Sequence, residues 1–118
     1  MKESEVRNRA RQFAIGVIEL CRKIDIHGGN GVLINQITRS ATSIGANIHE
    51  ANYAASKADF ANKLQIALKE ANETGYWLEL LYKTNYIGEE QYNFLESKCK
   101  SLRAMLVSSI NTAKNNNK

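Results

Sequence analysis

The chain has 118 residues with no proline and two cysteines, is 43% hydrophobic and 24% charged, and carries a net charge of +4. That is enough apolar material for one core but not two, which excludes a chain disordered over most of its length. No apolar run approaches the ~20 residues of a membrane helix, and the charged start MKESEVRNRARQ lacks the apolar segment of a secretory signal. A cytoplasmic protein with no membrane segment is therefore expected, its Cys21 and Cys99 buried as thiols.

The first predicted helix covers about residues 4–26. Val6, Ala10, Phe13, Val17, Leu20 or Cys21, and Ile24 recur at spacings of three and four, which makes one helical face. His27-Gly28-Gly29-Asn30-Gly31 is the expected stop, since glycine supplies the left-handed conformations of a helix exit. The second helix is predicted over about 32–53, on a face of Leu33, Ile37, Ala41, Ile44 and Ile48. Ser56 stands three residues before Asp59, a capping box with Asp in place of Glu, and sets a tight turn near 54–56.

The third helix, about 57–84, repeats Phe60, Leu64, Ala67, Ala71, Thr74, Leu78 and Leu81. Asn85 suits its exit. Gly88 precedes the fourth helix, about 89–113, where Glu89 and Glu90 favour the helix dipole. Its stripe is Tyr92, Leu95, Cys99, Leu102, Leu106 and Ile110. The residues 114–118 read as a frayed polar tail. Four amphipathic helices with short connections predict an all-α fold, an antiparallel up-down-up-down four-helix bundle. Ala41, Gly45, Ala67, Ala71 and Gly75 are expected to let the second and third helices approach closely.

No arrangement of an enzyme emerges, so no catalytic residue, metal or cofactor is expected. A di-iron bundle needs Glu-x-x-His pairs, and neither His27 nor His49 has a Glu three residues earlier. The cysteines fall on core stripes and lack zinc spacing. Ser40 and Ser43 stand outside any glycine elbow, and Gly28–Gly31 lacks the Lys-Ser/Thr end of a phosphate loop. Glu70 and Glu73, one turn apart, have only Glu50 as a carboxylate partner on the second helix. A nucleotide hydrolase would need more, and a structural ion pair is the better reading. If the chain folds back near residue 55, Arg39 comes within reach of Glu70 or Glu73. Asn47 and Glu50 flank the apolar face, placed to bond neighbouring helices, a second subunit or a ligand.

Charge is uneven along the expected bundle. The end shared by the termini and the turn between the second and third helices comprises 1–13, 43–70 and 102–118. It holds ten Lys and Arg against five Asp and Glu, while the rest of the chain holds six against seven. Arg7, Arg9, Arg11, Lys57 and Lys63 are therefore the candidate phosphate contacts for RNA or DNA. Apolar residues left over from the bundle stripes, Ile15, Ile18, Tyr76, Trp77 and Tyr82, are candidates for an oligomer interface.

Two runs carry a resemblance over nearly the whole chain: RSATSIGANIHE from Arg39 to Glu50, and IALKEANETGYWLELL from Ile66 to Leu81. Both resemble the 23S ribosomal RNA intervening-sequence proteins, a bacterial family of small four-helix bundles. The resemblance implies a homopentamer similar to the accessory proteins of diversity-generating retroelements, basic barrels that bind a reverse transcriptase and nucleic acid. It singles out Arg39, Ser43, Asn47, Glu50 and Glu73. Many members carry proline where this chain has Gly45, and glycine where it has Asn52. Two functions follow as expectations: a non-enzymatic oligomer that binds nucleic acid through its basic end, or a scaffold for a protein partner such as a reverse transcriptase.

Overall fold

A computed structural model describes residues 2–24 and 30–115, with side chains from Glu5 onward. The glycine stop at His27-Gly28-Gly29 lies outside them. Four helices follow in chain order: α1 (Lys2–Arg22), α2 (Asn30–Ala51), α3 (Lys57–Lys83) and α4 (Glu89–Asn115). Each packs on its neighbours in sequence, and α1 closes the ring against α4. The molecule is an antiparallel up-down four-helix bundle, a rod of 51 × 22 × 19 Å.

The core follows the apolar spacing. Val6, Ala10, Phe13, Val17 and Leu20 from α1 meet Ile37, Ala41, Ile44 and Ile48 from α2, and α3 and α4 supply Leu64, Leu78, Leu81, Leu95, Leu102 and Leu106. Five expected core positions are corrected. Ile34 is buried and Leu33 half-buried, Ala61 is buried and Phe60 half-buried, and Cys21 is half-buried where a buried thiol was expected. In α2 and α3 only this one stripe position shifts by a residue, the rest lying where the spacing puts them, and Ile24 and Tyr92, also expected in the core, are half-buried. These half-buried side chains still pack against the core.

The helix ends have local causes. α1 stops at Arg22, short of the expected Ile26, through tight turns from Lys23 N–H to the Leu20 carbonyl and from Ile24 N–H to the Cys21 carbonyl. α2 starts at Asn30, whose side chain is buried, and ends at Ala51 rather than Tyr53. At the start of α3 the Ser56 Oγ accepts from Asp59 N–H at 3.0 Å, and the Asp59 carboxylate reaches back to Ala55 N–H at 3.2 Å. At its end Asn85 takes φ 69°. Tyr86 N–H bonds the Leu81 carbonyl and Asn85 N–H the Tyr82 carbonyl, at 2.9 and 3.0 Å. That pair of bonds is a Schellman motif with Asn in the left-handed position, and buried Ile87 follows it into the core. α4 continues to Asn115, so Lys114 and Asn115 are helical rather than part of a frayed tail.

Small residues act at different seams than expected. A Cβ on Gly45 would meet the Ala10 Cβ at 3.8 Å, so Gly45 serves α1. A Cβ on Gly75 would lie 3.1 Å from Arg103 Nη1, so Gly75 serves α4. Only Ala41, Ala67 and Ala71 of that set remain as candidates for the α2–α3 approach, and all three are fully buried.

Candidate functional site

Polar groups collect along the seam between α2 and α3. Ser40 and Thr74 each occupy a position on the apolar stripe of their helix, and both are 0% exposed. Their hydroxyl oxygens are 2.8 Å apart. Thr74 Oγ1 also lies 2.8 Å from the Glu70 carbonyl, and Ser40 Oγ 3.3 Å from the Ile37 carbonyl. Each hydroxyl has one hydrogen, so one of them donates across the seam while the other donates to its own helix. Either arrangement leaves no hydroxyl hydrogen unbonded.

Arg39 lies beside this pair. Its guanidinium donates to Glu70 at 3.2 Å and to Glu73 at 2.5 Å. The hydrogen bond from Arg39 holds the Glu73 carboxyl below its ordinary range and raises the Arg39 pKa in turn. Trp77, one turn further along α3, favours the same charged carboxylate, though among the described residues no acceptor lies in hydrogen-bonding geometry with its Nε1–H. The fold thus brings Arg39 and Glu73 together. Asn47 bonds within its own helix, its Nδ2 donating to the Ser43 carbonyl at 2.9 Å and to Ser43 Oγ at 3.1 Å. Within the chain, Asn47 thus bonds its own helix rather than a neighbouring one. Glu50 is exposed. Among the described residues no three His, Cys, Asp or Glu side chains converge as a metal site.

A second polar cluster sits where α4 crosses Gly75. Arg103 donates to Glu96 at 2.8 Å and to Cys99 Sγ at 3.1 Å, and the Cys99 thiol reaches the Ala71 carbonyl at 3.2 Å. Burial pushes the Cys99 thiol up to about 11. Burial is the largest single influence on Arg103 and works against its charge, but the bond and charge of Glu96 together with those of Cys99 outweigh it and raise the pKa. This trio was not foreseen, although Glu96, Cys99 and Arg103 share one face at spacings of three and four.

The basic candidates divide. Arg9 is tied to Glu5 at 3.2 Å and to Ser101 at 3.3 Å, over a groove of about 470 Å³ between α1 and α4. Arg11 donates to Asn8 at 3.1 Å. Arg7 and Arg11 line a different groove, of about 280 Å³, between α1 and α2, together with Thr42 and His49. Lys57 is exposed at the start of α3, and Lys63 is half-buried one to two turns on. The candidate interface residues also divide. Ile15 is 43% and Tyr76 54% exposed, Ile18 and Trp77 are half-buried, and Tyr82 is half-buried and stacked on Tyr92 with ring centroids 4.8 Å apart.

Four antiparallel helices closed into one ring, with a polar seam drawn from α2 and α3, define a small four-helix bundle protein. The chain belongs to the 23S rRNA-intervening sequence protein family, whose model matches residues 2–108. It is also similar to a crystal structure of a protein with unknown function from the S23 ribosomal protein family of Bacteroides thetaiotaomicron. The two are 44% identical with a TM-score of 0.84, over 94% of this chain and 99% of that one. No curated protein matches the chain. Among the described residues no helix is long and apolar enough to cross a membrane.

Proposed function

We propose that this protein is a non-enzymatic module that binds nucleic acid through the basic end of its bundle. One observation carries the reading. Elsewhere arginines are neutralised by glutamates, Arg22 by Glu19, Arg39 by Glu70 and Glu73, and Arg103 by Glu96. Among the described residues, Arg7 and Arg11 at the basic end have no carboxylate partner, and both line an open groove. Cations one turn apart attract phosphates without reading base sequence.

Fluorescence anisotropy of labelled RNA and duplex DNA across a salt series tests this. Replacing Arg7 and Arg11 by Ala should weaken binding by a similar factor for all sequences. On duplex DNA the slope of log affinity against log salt should become shallower by about 1.8, at ~0.9 per phosphate. An unchanged affinity and slope would place the binding surface elsewhere.

A second reading is assembly, as a homopentamer or as a scaffold for a protein partner. Tyr76 at 54% and Phe94 at 61% exposed favour it, because large apolar side chains left open suit a contact surface. Light scattering would show one oligomer of defined mass, and a monodisperse monomer would overturn self-assembly.

A further inference from the structure

The groove between α1 and α2 combines two chemistries. Its floor is apolar, with Gly45 of α2 facing Ala10 of α1. One wall carries Arg7 and Arg11, and the other carries His49. The His49 ring packs at 59° against Tyr53, with centroids 5.4 Å apart. Tyr53 follows the end of α2 in the turn toward α3 and is 76% exposed, the most open of the large apolar side chains described. Neither ring belongs to the core.

Arginines alone would suit any polyanion, whether a duplex, a lipid headgroup or an acidic peptide. The open aromatic face narrows the choice. A duplex keeps its bases stacked on one another and offers the groove only phosphates. A single strand offers phosphates and exposed base faces in alternation, and proteins that bind it pair a cationic track with aromatic stacking platforms. Arg7 and Arg11 are four residues apart, roughly 6 Å along the helix at 1.5 Å per residue. That step suits consecutive phosphates of an extended strand. At about 280 Å³ the groove is just below the ~300–1,000 Å³ of pockets for drug-sized molecules, which suits one nucleotide unit. RNA is the polynucleotide that commonly presents such unpaired bases, in loops, bulges and ends.

We propose that this groove holds one step of single-stranded RNA, with its phosphates on Arg7 and Arg11 and an unstacked base on Tyr53. The proposal rests on the nucleic-acid reading above and adds to it the class of strand and the aromatic contact. Three labelled ligands separate the two: an unstructured 12-nucleotide RNA, the DNA of the same sequence, and an RNA duplex. Wild-type protein, Tyr53→Ala and Tyr53→Phe are titrated with each, and light scattering follows the mass of all three proteins.

Tyr53→Ala should weaken binding to the single-stranded RNA by about five- to a hundredfold, the range of base–aromatic stacking. Its affinity for the duplex should be unchanged, and Tyr53→Phe should bind the single strand like wild type. If Tyr53→Ala binds the single strand as tightly as wild type, the groove proposal fails while the electrostatic reading stands. If wild type binds none of the three ligands even at low salt, both fail. Tighter binding to the single-stranded DNA than to the RNA would overturn the assignment to RNA. A change of mass in Tyr53→Ala would assign Tyr53 to a contact between subunits and overturn the proposal as well.

Discussion

The hydroxyl pair at the centre of the α2–α3 seam gives a sharp test of how the bundle is held. Thr74→Val removes one hydroxyl and keeps the side-chain shape and the β-branched helix preference. Ser40 then retains the Ile37 carbonyl, 3.3 Å away, as its acceptor. No buried donor is orphaned, so the loss should be near 1 kcal/mol, that of one ordinary hydrogen bond. Ser40→Ala also removes one bond, and Thr74 keeps the Glu70 carbonyl at 2.8 Å. Alanine's better helix preference returns up to roughly half a kcal/mol, so about 0.5 kcal/mol should be lost. The wild type has both hydroxyl hydrogens bonded, each single variant keeps one such bond, and the double variant keeps none. Its destabilisation should therefore match the sum of the singles, about 1.5 kcal/mol, with little coupling. Urea unfolding followed by circular dichroism, extrapolated linearly to water, measures all four proteins. A loss well above about 2 kcal/mol in either single variant would refute the reasoning, since the surviving hydroxyl would then be left unbonded rather than turned to the carbonyl of its own helix.

Two further outcomes follow from the ionisable groups. The Arg39 hydrogen bond lowers the Glu73 pKa in the folded state, so its contribution is present above the ordinary carboxylate value of 4.5 and is lost as pH falls through the lower folded value. Arg39→Gln should cost no more than about 1 kcal/mol at pH 7, as for an exposed ion pair, and the gap to wild type should close by pH 2. A gap in urea midpoint as wide at pH 2 as at pH 7 would contradict this. Cys99, raised from 9.0 to about 11 by burial, should be roughly a hundredfold poorer in thiolate at pH 8 than an unperturbed thiol. In a Cys21→Ser background a disulfide reagent should therefore label it only slowly until urea is added. Because a raised pKa favours the neutral thiol in the folded state, the stability that Cys99 confers is complete below pH 9.0 and is lost as pH rises through about 11. Fast labelling of native protein would contradict the buried position.

The four helices were legible because apolar spacing is a one-dimensional signal, and Ser56-x-x-Asp59 and Asn85 announce their caps directly. The Arg39 pairing was legible too, since a tight turn near residue 55 aligns the start of one helix with the end of the next. Other features depend on rotation about the helix axis, which spacing leaves loose by one position. Leu33 and Phe60 were placed in the core ahead of Ile34 and Ala61 for that reason. The seams served by Gly45 and Gly75 were misassigned because a glycine shows no side chain by which to judge its direction. The Ser40–Thr74 bond needed the register of α2 against α3. Polar residues interrupting two facing apolar stripes were the available sign. His49 and Tyr53 are four apart, a spacing that hinted at a ring contact, but the placing of His49 across a groove from Arg7 and Arg11 comes only from the packing of α1 on α2.

The ring of helices is not equally fastened on all sides. The two seams of α3 are the most extensive, and the two of α1 are the sparsest. Detaching α1 thus exposes less packed surface than detaching any other helix, and its amide hydrogens should exchange through partial openings while those of α3 await global unfolding. Arg7 and Arg11 ride on this weakly anchored helix, opposite the histidine wall supplied by α2. The width of the cationic groove is thus governed by the bundle's softest degree of freedom, and a strand lying across both walls would act as a clasp that raises the cost of opening α1.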